Sequence, residues 1–265
     1  MCPPTHFGVL YEINPWMSRA VAVDVDRAHD QWDALVRLLT DAGATVERLD
    51  PVDGLPDLVF TANAGVVDGD RFVPTRFANP ERRGEEAVDT AWFAEHGWRV
   101  EHLPGGEPHE GAGDTLPFAG ELVGGHQQRT DAAAQRALAA TLGTTVHLVE
   151  LADERLYHLD MTFCPLDERR ALVTPAAYAD RTLLELVPEP FELTLDEALA
   201  LTANSVVVGT NVVMSACPPR VGRQLEAWGF DVAVADVSEF AKAGGGARCL
   251  TLTLDVRLGP APGAG

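Results

Sequence analysis

Helical and strand-like segments alternate along this chain, with one unit about every 50 residues. The strand-like segments are apolar or alternate in polarity, and they are residues 7–10, 58–67, 71–74, 121–124, 146–151, 171–174, 205–213 and 250–256. The helical periods are residues 26–42, 85–96, 130–142, 195–202 and 219–228. No stretch rich in Pro, Gly or Ser divides the alternation. The pattern therefore predicts a single α/β domain over residues 1–265, built from about five similar units.

The charge balance is strongly acidic, because 40 Asp and Glu residues outnumber 20 Lys and Arg residues. Neutralising phosphates requires a basic surface, so the composition predicts no nucleic-acid partner. No apolar run reaches the roughly 18 residues that a membrane-spanning helix needs, and the N-terminus has neither a basic leader nor an apolar core. We expect a cytoplasmic protein that does not engage membranes and acts on a small molecule, with a homo-oligomer as one possible assembly.

The four cysteines are widely spaced, at Cys2, Cys164, Cys217 and Cys249. They form none of the short pairs that are typical of zinc ribbons or redox dithiols. The sequence therefore predicts free thiols, with no metal and no organic cofactor.

A glycine run leads directly to one of these cysteines. Residues 244–249 read Gly-Gly-Gly-Ala-Arg-Cys and open onto the alternating segment 250–254. Because glycine adopts backbone conformations that other residues avoid, such a turn brings the chain close to a ligand and aims the next side chain. Cys249 is therefore the candidate nucleophile, and a neighbouring cation such as Arg248 or a bound substrate would favour its thiolate. The alternative is a small buried side chain where a strand meets a turn.

Other polar side chains cluster at the ends of the predicted strands. Each of them has a structural alternative as a helix cap, a turn residue or a buried histidine. Together they supply a base, several acids and a carboxylate-binding arginine for a nucleophilic site. These residues are Asp57, Asn63, Glu110, Asp114, Arg129, His158 and Asp160.

In these motifs the chain resembles the guanidine-modifying enzymes of the pentein superfamily, which include arginine deiminase, dimethylargininase, the amidinotransferases and arginine dihydrolase. The similarity is carried, in order, by Phe-Thr-Ala-Asn at 60–63, Pro-Glu-Arg-Arg-Gly-Glu at 80–85, Glu-Gly-Ala-Gly-Asp at 110–114, His-Leu-Asp at 158–160 and the Cys249 turn. Ile-Asn-Pro-Trp-Met at 13–17, with residues 157–166 and 240–252, looks most like the arginine dihydrolase domain. The resemblance implies a five-bladed α/β propeller of ββαβ units with the active site at its centre.

The same resemblance implies the site roles. Cys249 would be the nucleophile, His158 the general acid and base, and Glu110 the carboxylate that handles guanidinium protons. The two acids of the 110–114 motif are one residue further apart than in the common family spacing, so Asp114 is the alternative to Glu110. The implied substrate contacts are Asp57 and Asp160 to the guanidinium, Arg129 with Arg82 or Arg83 to the carboxylate, and Asn14 within a possible lid at 12–19.

The chemistry also follows from the residue types. A guanidinium is a cation and a poor electrophile, so a site that hydrolyses it needs carboxylates, a thiolate and a proton donor. Deiminases and dimethylargininases usually carry an acid where this chain has Asn63. A neutral ureido product presents a carbonyl oxygen, to which an asparagine amide can donate. The leading hypothesis is therefore a double hydrolysis of arginine to ornithine, carbon dioxide and two ammonia; the alternative is that Asn63 only tunes a single hydrolysis.

These motifs are also compatible with other activities. Dimethylargininase activity depends on room for methyl groups, which sequence does not reveal, and arginine deiminase would stop at citrulline. An amidinotransferase would need a second-substrate site, for which the short chain leaves little material. A ribosome anti-association factor of the same fold would be a non-enzymatic binder, but it would have no use for a nucleophile, and the acidic composition disfavours ribosomal RNA.

Overall fold

The computed structural model describes residues 1–259, and in that range the chain alternates strands and helices. The strands are β1 Gly65–Asp68, β2 Arg71–Pro74, β3 Arg99–Val100, β4 Thr115–Phe118, β5 Glu121–His126, β6 Val146–Glu150, β7 Phe163–Pro165, β8 Arg170–Val173, β9 Glu189–Glu192, β10 Val206–Val208, β11 Asn211–Met214 and β12 Asp231–Val234. The α-helices are α1 Val25–Asp41, α2 Arg83–Glu95, α3 Gly111–Asp114, α4 Ala132–Leu142, α5 Thr182–Leu186, α6 Leu195–Leu199, α7 Pro219–Ala227 and α8 Ser238–Ala241. The mixed α/β class is thus confirmed.

The strands form four three-stranded sheets with one shared plan. In each sheet an antiparallel hairpin is followed by a helix and then by a strand parallel to the second hairpin strand. The sheet β4-β5-β6, for example, pairs Thr115 with Gly124 across the hairpin and Leu122 with Val146 across the parallel ladder. The helix between β5 and β6 is α4. The ββαβ unit expected from the sequence therefore occurs four times in the described residues.

The predicted strands at residues 7–10 and 250–256 are absent from the described structure, which corrects the sequence interpretation. Their backbone groups bond elsewhere: the Phe7 amide donates to the Pro4 carbonyl, and the Val256 carbonyl accepts from the Gly69 amide. The buried Trp32 and Leu35 of α1 belong to the same apolar cluster as Phe7. Leu252 and Leu254 are half-buried against the apolar cluster that contains Phe72 and Phe93, so the alternation at 250–254 marks partial burial without a ladder.

Two further strand predictions need correction. Residues 58–67 contain two 3-10 turns, Pro56–Val59 and Thr61–Ala64, before β1 begins. Every residue from 56 to 68 is buried, so the apolar run at 58–67 results from burial and does not indicate an extended backbone. Residues 205–213 form most of the β10-β11 hairpin, which turns at Gly209 with a φ of 60°.

The helices predicted at residues 26–42, 85–96, 130–142 and 219–228 coincide with α1, α2, α4 and α7 to within two residues at each end. The helix predicted at 195–202 corresponds to α6, which ends three residues earlier, at Leu199. Local signals explain the agreement. The Asp131 carboxylate accepts a hydrogen bond from the Ala133 amide at the start of α4, and Gly143 ends the helix in the left-handed conformation. In residues 1–259, no helix combines the length and apolar character that crossing a bilayer would need.

Candidate active site

The polar candidates come from equivalent places in successive units. Asn63 lies just before β1, Asp114 just before β4, Asp160 just before β7 and Asn204 just before β10. Cys249 occupies a turn ahead of the C-terminal segment. Each hairpin therefore delivers a polar side chain from its entry, which brings residues far apart in sequence to one place.

A cavity lies beside these entries, and two of the entry residues, Asn63 and Cys249, line it. Seven of the predicted site residues line it: Asn14, Asp57, Asn63, Arg82, Arg129, His158 and Cys249. Ile13, Met17, Phe60 and Tyr157 add an apolar wall. Such a mixture of apolar wall and convergent polar groups is typical of small-molecule sites.

Cys249 is buried, and two side chains contact its sulfur. The Asn204 Nδ2 lies 3.1 Å from Cys249 Sγ, and Asp160 Oδ2 lies 3.5 Å from it. Burial and the negative charge of Asp160 raise the pKa of the thiol well above its ordinary value. The expected help from Arg248 is therefore outweighed, and the thiol is neutral at neutral pH before a substrate cation enters.

His158 and Glu110 form a buried pair, with 2.8 Å between Nε2 and Oε2. Burial opposes the charge on Glu110, but the hydrogen bond from His158 and the nearby Arg129 lower the pKa of Glu110 to about 2. Burial likewise opposes the charge on His158, but Asp114 and Glu110 raise its pKa. The pair therefore favours a protonated imidazole beside an ionised carboxylate.

Asp114, the alternative acid, does not bond to the imidazole. Its carboxylate accepts from the Thr130 hydroxyl at 2.7 Å and from the Leu159 amide at 3.1 Å. Burial raises the pKa of Asp114 to about 6. Of the two acids, Glu110 is the one in contact with His158.

Asn63 and Arg82 form one polar cluster with Asp57. Arg82 Nη1 donates to Asn63 Oδ1 at 2.9 Å, and its Nη2 donates to the Asp57 carbonyl at 3.2 Å. Asn63 Nδ2 donates one hydrogen to the Glu110 carbonyl at 3.2 Å and keeps a second. Because Arg82 occupies Oδ1, the amide nitrogen of Asn63 is the group left for a ligand.

Protein partners occupy most of the Arg82 guanidinium, which limits its capacity to bind the carboxylate of a ligand. Glu85 accepts from both Nε and Nη2 of Arg82, at 3.0 and 2.7 Å, so only one guanidinium N–H, on Nη1, has no protein partner. Arg83 donates to the carbonyls of Phe77 and Ala78 and does not line the cavity.

Two buried acids each have one carboxylate oxygen without a partner, and of the two Asp57 lines the cavity. Asp57 Oδ2 accepts from the Tyr11 hydroxyl at 3.0 Å, whereas its Oδ1 has no partner. Asp160 Oδ1 also lacks a partner. Burial raises the pKa of both carboxyl groups. Buried polar atoms without partners are uncommon in native proteins, so these two oxygens mark where a cationic ligand would bind.

Arg129 and Asn14 lie at the mouth of the cavity. Arg129 donates from Nη2 to the Ile13 carbonyl at 2.7 Å, lies 3.4 Å from Glu110 and stacks over the Tyr157 ring. Asn14 Nδ2 donates to the Ala243 carbonyl at 3.0 Å. These bonds connect segment 12–19 to Arg129 and Ala243, and Asn14 Oδ1 accepts from the amide of Trp16 at 2.9 Å. That the segment acts as a lid stays a prediction.

Sequence reasoning missed the residues that support the site. Asn204 contacts the Cys249 sulfur, Glu85 pairs with Arg82, Tyr11 bonds to Asp57, and Thr130 bonds to Asp114. The position of Asn204 just before a hairpin, like that of Asn63, is the signal that could have found it. In the described residues no cluster of three or more His, Cys, Asp or Glu side chains is arranged to hold a metal ion.

Comparison with known proteins gives concordant results. A family model for eukaryotic N,N dimethylarginine dimethylhydrolase matches residues 14–256. The chain is 40% identical over 261 residues to the bifunctional arginine dihydrolase/ornithine cyclodeaminase ArgZ of Synechocystis sp., covering 95% of this chain and 37% of ArgZ. It is 36% identical to the N(G),N(G)-dimethylarginine dimethylaminohydrolase of Mycobacterium tuberculosis, covering 96% of this chain and 84% of that protein.

A solved structure extends the similarity to three dimensions. The N-terminal domain of ArgZ, in a cysteine-to-serine mutant bound to substrate, superposes with a TM-score of 0.93 at 37% identity and covers 97% of each chain. The present chain therefore spans a little over a third of the bifunctional relative and nearly all of its N-terminal domain.

Proposed function

The chain belongs to the N,N-dimethylarginine dimethylhydrolase family, and from this membership we propose that it is a cysteine-dependent hydrolase that acts on the guanidinium group of L-arginine. The proposed overall reaction consumes arginine and two waters and releases ornithine, carbon dioxide and two ammonia. The name of ArgZ, an arginine dihydrolase, supports this choice at 40% identity. The reaction uses protein side chains alone, without a cofactor.

The observation that carries the proposal is the amide of Asn63. It lies in a buried cluster where Arg82 occupies its oxygen and leaves an N–H free. A free N–H can donate to the carbonyl oxygen of a ureido group, whereas a carboxylate in this place would repel that oxygen. The site is thus suited to retain citrulline for a second round of hydrolysis.

In the first round the substrate cation binds against Asp57 and Asp160. Its charge compensates the acids that raise the pKa of Cys249, and the sulfur then attacks the guanidinium carbon. The Cys249 thiol loses its proton to solvent and His158 gives a proton to the departing nitrogen, so that ammonia leaves and a cationic thiouronium and a neutral imidazole remain. Water attacks this carbon with His158 as base, which breaks the C–S bond, restores the thiol and forms citrulline.

In the second round Cys249 attacks the ureido carbon of citrulline, held by Asn63 with Asn14 as a second contact. Ammonia leaves and a thiocarbamate forms. Water then releases a carbamate of ornithine, which loses carbon dioxide. Glu110 keeps His158 oriented and favours the return of its proton after each transfer. Arg129, with the free N–H of Arg82, binds the carboxylate of the amino acid, and Asp114 supports the site from behind His158.

We propose one domain over residues 1–265 with a five-bladed propeller arrangement around the cavity. Two observations support it. Four sheets share one ββαβ plan, and the entries of successive hairpins supply polar residues to one site. Cytoplasmic residence is supported by the four free thiols. A homo-oligomer stays a prediction that light scattering coupled to size exclusion tests.

Dimethylargininase activity is the second candidate, because the family model and the Mycobacterium tuberculosis relative both carry that name. It would release a methylamine and stop at citrulline. Arginine deiminase would also stop at citrulline, but from unmethylated arginine. An amidinotransferase would require an amine acceptor, and a non-enzymatic binder would turn over none of these substrates.

The deciding experiment is product analysis by mass spectrometry with arginine, its methylated forms, agmatine and citrulline at equal concentration. Ornithine from both arginine and citrulline is the expected result. Citrulline as the only end product of arginine would overturn the double hydrolysis, and faster turnover of dimethylarginine would favour the second candidate. Iodoacetamide labelling of Cys249 with and without arginine separates an enzyme, in which arginine protects the thiol, from a binder.

A further inference from the structure

Asn204 makes four hydrogen bonds with its side-chain amide at a position that is fully buried. Its Oδ1 accepts from the amides of Arg248 at 3.0 Å and Cys249 at 3.2 Å. Its Nδ2 donates to the Asp160 carbonyl at 3.2 Å and to the Cys249 sulfur at 3.1 Å. Every donor and acceptor of this amide is therefore used, and three of the four contacts are with residues at the nucleophile.

The orientation of the Asn204 amide follows from its partners. The two backbone N–H groups require an acceptor, so the oxygen must face them, and the nitrogen must then face the sulfur and the Asp160 carbonyl. At the sulfur, Asn204 is a donor, whereas Asp160 Oδ2 is an acceptor for the thiol hydrogen. Asn204 therefore favours the thiolate and Asp160 favours the thiol.

We propose that Asn204 is a positioning residue for the nucleophile, whose amide fixes the Cys249 turn through two backbone hydrogen bonds and stabilises the thiolate through a third bond to Sγ. The inference rests on the proposed function, in which Cys249 is the nucleophile. Hydrogen bonds to charged groups are about twice as strong as neutral ones, so the Nδ2–Sγ bond strengthens as the thiol ionises.

The charged and titratable groups around the Cys249 sulfur determine how much the hydrogen bond from Asn204 matters for ionisation of the thiol. Asp160 opposes ionisation of Cys249, and Tyr157 is close enough for a negative sulfur to raise its pKa. The cations nearby are Arg248, which the sulfur stabilises, and His158 on the cavity wall. Besides the Gly246 backbone, Asn204 is the group that lowers the pKa of Cys249 by hydrogen bonding.

The glycine run makes room for this arrangement. A Cβ atom at Gly246 would lie 2.6 Å from Asn204 Oδ1 and 2.6 Å from Ser215 Oγ. Ser215 Oγ in turn accepts from the Ala247 amide at 2.8 Å and donates to the Asn204 carbonyl at 3.2 Å. The glycine preceding Ala247 is therefore explained by the close approach of the Asn204 amide to the Cys249 turn.

The first test measures iodoacetamide alkylation of Cys249 against pH, read on the Cys249 peptide by mass spectrometry. Asn204→Asp keeps an oxygen that accepts from the backbone amides of Arg248 and Cys249, but it puts a second oxygen in place of the N–H that donates to the sulfur. Asn204→Ala removes the acceptor and the donor together. We expect each variant to raise the pH midpoint of alkylation by about 1 to 2 units, as the loss of one hydrogen bond to a charged group implies. Asn211→Ala, in the β10-β11 hairpin, is the matched control and should leave the midpoint unchanged.

Steady-state kinetics distinguish positioning from general damage. At neutral pH kcat should fall about tenfold or more in the Asp variant, with little change in KM, and activity should recover as the pH rises and the thiolate forms. A folded variant whose alkylation midpoint equals that of the wild type would overturn the proposal. A uniform loss of activity at every pH would do the same.

A measurement on the wild-type protein keeps the proposal testable if the variants fail to fold. The side-chain ¹⁵N resonance of Asn204 should shift with pH through the same midpoint as Cys249 alkylation, and the shift should vanish in Cys249→Ser. An unresponsive resonance would overturn the proposal. Alkylation and NMR need no substrate, so these outcomes stay separate from the product analysis that tests arginine hydrolysis.

Discussion

His158 Nε2 and Glu110 Oε2 lie 2.8 Å apart in a pocket closed to solvent. The pair holds a proton on the imidazole, because Asp114 and Glu110 outweigh burial and raise the pKa of His158. A charged imidazole is the form that can protonate a departing nitrogen.

Glu110→Gln should remove that effect. We expect kcat to fall about 100-fold and the alkaline limb of the pH–rate profile to move to lower pH, because His158 then loses its proton more readily. Glu121→Gln is the matched control, since Glu121 pairs with His147 outside the site. An unchanged alkaline limb in Glu110→Gln would contradict the assignment.

Asp114 should make the protein less stable as the pH rises. Burial raises its pKa to about 6 from an ordinary 3.8, so the native state binds the proton more tightly than the unfolded state. The protonated Asp114 contributes about 3 kcal/mol to the free energy of unfolding below pH 3.8, and this contribution is lost as the pH rises through 6. Urea unfolding between pH 4 and pH 7.5 should show a shallower fall for Asp114→Asn, but not for exposed Asp231→Asn.

Cys249→Ser should lower kcat by about 10⁴-fold or more, because a hydroxyl in this buried site is a far weaker nucleophile. Arginine should still bind, as calorimetry can measure, since the acids of the cavity are unchanged. Cys217→Ser, at a half-buried thiol before α7, should retain full activity. Intact turnover in Cys249→Ser would remove the basis of the proposed chemistry.

Asn63→Asp should separate the two hydrolytic rounds. The new carboxylate can still face a cationic guanidinium, but it cannot donate to a ureido oxygen. We expect citrulline to accumulate from arginine while ornithine formation falls about 100-fold, the effect of losing one well-placed donor. Asn79→Asp, before the 3-10 turn Pro80–Arg82, is the control. Ornithine released at the wild-type rate would show that Asn63 only tunes the reaction.

Gly246→Ala should destabilise the Cys249 turn, because the added Cβ would meet Asn204 and Ser215 at 2.6 Å. We expect a loss of about 1 to 3 kcal/mol in the free energy of unfolding, measured by urea titration, together with reduced activity. Gly106→Ala is the matched control, since nothing lies within 4 Å of a Cβ there. Equal stability of the two variants would contradict the close packing described above.

The longer helices were readily predicted, because their determinants are local, whereas the short helices α3, α5 and α8 were not. The caps at Asp131 and Gly143 and the apolar period between them lie within a few residues of one another. The apolar runs at 58–67 and 250–256 misled the interpretation, because burial on one or both sides leaves the same trace in a turn as in a strand. Whether a buried backbone pairs in a ladder depends on segments elsewhere in the chain.

The sequence by itself determined the mixed α/β alternation, the family resemblance and the identity of the chemically competent residues, since all of these are properties of residue type and local order. The tertiary structure decided which polar groups meet. Glu110 and His158 are 48 positions apart, and Asn204 and Cys249 are 45 apart, so no local pattern encodes either contact. The partners and the burial that the fold supplies then raise the pKa of His158 and of the Cys249 thiol, and the fold places Asn63 in the cavity wall.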